Sequence, residues 1–242
     1  MFDYFFTYIS HIPKGIGFEK FSIIHFLVLI LGLFLIYLIS NYYIKLSIDR
    51  RNKFKKVLAI IIFSLEWIRQ LFLIISNQYE YALLPLHLCS ITVWIILLDA
   101  FKASDFSKQY LYFLGITGAI AALLFPDWSD YPIFNIFCWH SFIIHFLFVL
   151  YIVNQLCSSE IIPSFNKIWQ VVLFLIIVVP IIYYINIKLN TNFFFINQAT
   201  TGSPLAFLAN IFGSYYLLGF ILLIALIWFI IYLPWLIKAN KS

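Results

Sequence analysis

Seven apolar runs divide this chain, and they leave few architectures open. They cover roughly residues 21–46, 54–75, 84–101, 110–125, 133–156, 168–186 and 203–235. Each is Leu/Ile/Phe-rich and about as long as a helix needs to cross a hydrocarbon core of ~30 Å. A helix satisfies its backbone polar groups internally, which lipid demands. The runs lack the ~10-residue alternation of a membrane β-barrel. Hydrophobic residues fill 64% of the 242 positions and charged ones 10%. That is more apolar surface than a soluble core of this length can hide. The expected fold class is all-α: a polytopic bundle of about seven transmembrane helices, one integral membrane domain over 1–242. The head, Met1 to Lys20, lacks a basic start and a small-residue cleavage site. It therefore reads as a short interfacial segment rather than a signal peptide.

Charge orients the bundle. Lys45, Arg50, Arg51, Lys53, Lys55 and Lys56 crowd the first link against a single Asp49. Across all links, 11 Lys and Arg fall on that side, 3 fall on the other, and Arg69 lies inside a run. Basic residues favour the cytoplasmic side, so the N-terminus is expected outside and the C-terminus inside. The same bias accounts for the net charge of +5 without a nucleic-acid partner. The expected location is the cell membrane, crossed several times.

With that topology the intramembrane polar residues gather toward one side. Glu66 and Arg69 stand i, i+3 in the second run, about 9–14 Å from its outer end. Leu84-Pro-Leu-His-Leu-Cys89 opens the third run. Pro85 suits the first helical position, which would put His87 in the first turn. His87 and Cys89 are two apart and point different ways, so a partner for Cys89 must come from another helix. His140 lies about 12 Å into the fifth run. Asp127, Asp130, Asn197, Gln198 and Ser203 rim the same side. The inner halves read as almost purely apolar. Ionisable groups in lipid normally face a bundle interior or a wet cavity, so one polar cavity open to the outer side is expected. Pro180 should kink the sixth helix, and Ser203-Pro204 reads as N-cap and first residue of the seventh.

Each residue also has a plain structural role open to it. Glu66 and Arg69 could be an ion pair that fixes packing. Cys89 could be a small inert core residue. His87 could bond across helices, and Asp127 and Asp130 could be turn formers. His145, five positions after His140, faces elsewhere and reads as an ordinary buried histidine. Cys89, Cys138 and Cys157 form no CxxC pair and no zinc pattern, so no metal and no cofactor is expected.

Four stretches together resemble the YwaF-like integral membrane proteins, bacterial relatives of a vertebrate transmembrane acyltransferase family acting on ether phospholipids. They are Leu84 to Cys89; Gly115-Ile-Thr-Gly-Ala119 leading to Leu123-Leu-Phe-Pro-Asp127; Phe137-Cys-Trp-His140; and Asn192-Phe-Phe-Phe-Ile196 with Ser203-Pro-Leu and Gly213-Ser-Tyr-Tyr216. After Ile196 the pattern changes: Gln198-Ala199 stands where Lys-Pro is usual, and Ala206 where an acidic residue is common. The resemblance implies a nucleophile and base in Cys89 and His140.

The expected function is acyl transfer or hydrolysis on a membrane lipid, with a phospholipid as the substrate. Cys89 would attack the ester and His140 would move the proton. Arg69, oriented by Glu66, would hold a phosphate or carboxylate. His87 would donate to an oxyanion. Asp127 and Asn197 would complete the substrate contacts. The alternative is a transporter or a lipid- or ligand-binding receptor using the same cavity. The seventh run has no Lys for a retinal Schiff base, which excludes that class.

Overall fold

The computed structural model describes residues 3–239, so Met1 and Phe2 of the head lie outside them. Among the described residues the regular elements are all helical. The long ones are α1 (Ile23–Tyr43), α2 (Ile48–Ile75), α3 (Leu88–Lys102), α4 (Asp105–Tyr110), α5 (Ile116–Leu124), α6 (Ile136–Cys157), α7 (Trp169–Leu189), α8 (Pro204–Phe212) and α9 (Tyr216–Ala239). Seven stretches are long and apolar enough to cross a membrane, with α4–α5 and α8–α9 each acting as one span. The end of the bundle bearing residues 44–47 is called the basic end below. The other, where residues 3–22 fold, is the head end.

Local chemistry sets the boundaries. Ser22 accepts from His25 N to start α1. Ser104 and Ser107 form a reciprocal capping box at α4. The Asn135 side-chain oxygen takes Phe137 N and Cys138 N at α6. The second helix begins at Ile48, six residues before the apolar run, because the basic residues 50–56 are good helix formers on an exposed turn. Its 28 residues reach about 42 Å, so its charged start projects beyond the ~30 Å core.

The third helix departs from expectation. It starts at Leu88 with His87 as its N-cap residue. Gln70 Nε2 holds the Leu83 carbonyl at 3.0 Å, and Leu86 N closes a tight turn on Leu84 O at 2.7 Å. Pro85 therefore serves a turn, and His87 stands outside the first helical turn. The last span also differs: it breaks at Gly213, whose φ of 49° interrupts the helix between α8 and α9. Ser203 and Pro204 do occupy the N-cap and first position of α8, and Pro180 lies inside α7.

The centre of the molecule is α6. Its membrane window is 56% buried, against 11% for α7 and for the α8–α9 span, whose outer faces are left for lipid. A side chain at Gly32 would strike Phe146, so α1 lies close on α6. Between α4 and α5, Leu111–Gly115 form a π-turn. Such a turn disturbs the regular ladder, and here Phe113 O takes Trp228 Nε1 of α9 at 2.7 Å. Tyr112 donates to Ile231 O at 2.6 Å beside it. The head is tied down rather than loose. Asn135 Nδ2 bonds Tyr4 O and Thr7 O at 2.7 and 2.9 Å, and Gln78 Oε1 accepts from Tyr8 N at 2.6 Å.

Candidate functional site

The head-end cluster is built on α2. Glu66 is buried, and Arg69 one turn later reaches it with Nη2 at 2.6 Å and Nε at 3.3 Å. Gln70 Nε2 adds a third donor to Glu66 at 3.0 Å. A carboxylate in a low-dielectric interior needs such partners. Arginine has five N–H donors, so the Arg69 hydrogens outside this fork remain for a ligand.

From α6, His140 approaches the same group. Its Nε2 lies 3.3 Å from Leu65 O and 3.9 Å from Glu66 Oε2. A carbonyl only accepts, so Nε2 carries the proton and Nδ1 is the basic nitrogen. One face further on, His145 donates Nδ1–H to Ser141 O at 2.7 Å and stacks on Trp128 at 5.0 Å. It is buried there with a backbone partner, as an ordinary core histidine is.

Cys89 sits in the first turn of α3, half-buried and without a disulfide. Glu66, Arg69 and Asp127 all act on it electrostatically. Asp127 opens the 3-10 turn Asp127–Asp130 and is itself exposed. His87 is gripped by two rings, Phe193 at 5.1 Å and Phe195 at 5.4 Å. The grip is strained: Phe194 and Phe195 have φ of 61° and 57°, rare for bulky residues. Asn186 holds it on one side, binding Phe193 N at 2.8 Å and O at 3.0 Å. Tyr216 OH holds Phe195 O at 2.8 Å on the other.

Asn197 stands apart from Glu66 and His140. Its Oδ1 accepts from Asn186 Nδ2 at 2.6 Å, and it lines an open hollow of about 370 Å³ with Gln198, Asn210 and Tyr216. A second hollow of about 500 Å³ lies beside the turn before α3, against Tyr79, Glu80, Tyr81, Leu84 and Leu189. Above the cluster, burial and then the Glu80 charge push the Tyr8 hydroxyl up to about 12, so it keeps its proton as a donor.

The basic end corrects one expectation. The helices there are not almost purely apolar. Asp99 is 2% exposed and accepts from Ser107 Oγ at 2.6 Å and Tyr151 OH at 2.9 Å. Ser40 donates to Asn154 Oδ1 at 2.8 Å. Tyr43 OH meets Glu160 at 3.1 Å, and Lys55 pairs with Glu160 at 2.5 Å. In sequence Asp99 lies just before Lys102 and looks like the end of a run. Its hydroxyl partners come from α4 and α6, which no local spacing shows.

No curated protein and no solved structure matches the chain. A model of the TMEM164 family matches residues 15–232, which take in Glu66, Cys89, His140 and all four stretches singled out in the sequence. On that match, and with seven apolar helices around a shared polar cluster, the chain belongs to the TMEM164 family.

Proposed function

We propose that this protein is a membrane-embedded acyltransferase or lipid hydrolase of the cell membrane, with Cys89 as nucleophile and His140 as base. The observation that supports it best is a histidine with a defined free nitrogen and an arginine with spare donors on one buried carboxylate, Glu66, with Cys89 within electrostatic reach of the same group. His140 Nδ1 takes the thiol proton, and the sulfur attacks the carbonyl carbon of a phospholipid ester. The ester C–O bond breaks, and the departing alkoxide takes that proton from the imidazolium. A lysolipid hydroxyl, or water, then attacks the thioester while His140 takes its proton. The thiolate leaves and is reprotonated. Arg69 holds the phosphate in both halves, and His87 donates to the oxyanion. Asp127 and Asn197 contact the polar parts of the substrate.

The test uses purified protein in nanodiscs holding a labelled phospholipid and a lysophospholipid. An acyl-thioester on Cys89, cleaved by hydroxylamine and lost in Cys89→Ser, is the expected result, with turnover lost in His140→Ala. Undiminished transfer by Cys89→Ser would sink the nucleophile assignment. A second reading, a transporter, draws on the basic-end polar residues around Asp99. It predicts ligand flux across vesicles that survives Cys89→Ser.

A further inference from the structure

Asp99 poses a question that the lipid chemistry does not answer. It is 2% exposed, on a membrane helix. Among the described residues no Lys, Arg or His pairs with it; the pairs present are Lys55–Glu160, Arg69–Glu66, His140–Glu66 and Lys167–Asp105. Buried carboxylates are normally paired with a cation or bound to a metal. Two hydroxyls, Ser107 from α4 and Tyr151 from α6, give it hydrogen bonds but no charge.

The second observation is Gln155, one turn beyond Tyr151 on α6. Its amide stands beside the Tyr151 hydroxyl. Yet it is 1% exposed, and its side-chain oxygen has no hydrogen-bond partner. The adjacent Asn154, also 1% exposed, has an unpartnered Nδ2. Orphaned buried amides are rare and mark a water or ion that belongs between them.

We infer that Asp99, Gln155, Ser107 and Tyr151 form a binding site for a monovalent cation at the basic end of the bundle. All four offer oxygen, the donor type that hard cations take. Each hydroxyl gives its proton to Asp99, and Ser107 Oγ, which also accepts from Ser104 N, keeps one lone pair for the ion. The charge count selects the valence. Glu160 is already neutralised by Lys55, so Asp99 supplies a single negative charge. A monovalent ion balances it, whereas a divalent one would leave a charge unpaired in a low-dielectric site. The ligands come from α3, α4 and α6, so the ion joins three helices. This site is independent of the lipid reaction at the head end.

The experiment is thermal unfolding of the full chain in detergent, titrated with sodium or potassium chloride against choline chloride at constant ionic strength. The unfolding temperature should rise saturably with sodium or potassium and stay flat with choline, as ligand binding to the folded state requires. Asp99→Asn should abolish the rise, and Cys157→Ser should keep it. Gln155→Leu removes an unpartnered amide oxygen, so it should fold and lose the rise even if Asp99→Asn does not fold. No difference between the salts would overturn the site and leave water alone among these groups. An unchanged rise in Gln155→Leu or Asp99→Asn would place the ion elsewhere and overturn it equally.

Discussion

The two ends of this bundle solve one problem in different ways. At the head end Glu66 is held by a cation on its own helix, Arg69, with Gln70 and His140 close by. At the basic end Asp99 is held by neutral hydroxyls from two other helices. A local counter-ion settles charge within one turn and leaves the neighbouring histidine and thiol free for chemistry. Hydroxyl donors settle only hydrogen bonds and bind the carboxylate's stability to helix packing. The first arrangement suits a reacting site, and the second suits a joint between helices.

The two ends should also face different compartments. The positive-inside bias predicts that a cysteine placed at Ser129 reacts with a membrane-impermeant reagent on intact cells, and one placed at Asn52 does not. Labelling at Asn52 alone would turn the head-end cluster toward the cytoplasm.

Next in size is the head-end pair. Glu66→Gln strands the Arg69 charge and should cost about 3–5 kcal/mol of stability, the range for a broken buried ion pair. Glu66→Gln with Arg69→Met should cost clearly less than the two single losses added together. Additive losses in thermal unfolding would mean that the charges are not coupled.

At the basic end Tyr151→Phe removes one hydroxyl and leaves an Asp99 oxygen short of a donor. A loss of about 1–3 kcal/mol is expected. An equal loss from Tyr110→Phe, whose hydroxyl meets only Thr92 and Leu88 O, would erase the distinction drawn for Asp99.

The smallest effect is a pH dependence. Burial acts to raise Glu160, but the bond and charge of Lys55, with Ser158 and Tyr43, outweigh it and hold the carboxyl below its ordinary value. Its folded value is depressed, so its stabilisation is present above the ordinary carboxylate range. That stabilisation is lost as pH falls through the lower, folded value. The loss should be about 1 kcal/mol, as for a pair partly open to water. Glu160→Gln should flatten unfolding temperature across that acidic window; an unchanged slope would show that Lys55 does not hold it.

What could be read in advance follows the reach of local rules. Glu66 and Arg69 share a helix face at i, i+3, so their pairing was legible. So were Ser203 and Pro204, whose capping chemistry lies within two residues. The start of α3 was not, because Gln70 claims Leu83 O from another helix. The strained Phe194 and Phe195 carry no glycine to announce a left-handed backbone. Asp99 escaped because its partners lie 8 and 52 residues away.

The π-turn at Leu111–Gly115 carries a consequence for biosynthesis. It holds one residue more than a regular helix uses, and α9, which is synthesised later, docks on the Phe113 carbonyl through Trp228. Deleting Leu114 would restore the regular ladder and rotate everything on one side of it by about 100°. The indole would then no longer face the Phe113 carbonyl, which it now shares with Thr117 Oγ1 at 2.6 Å. α9 thus reads the register of an earlier span, and a single-codon deletion there would leave a chain whose spans insert but in which α9 cannot dock.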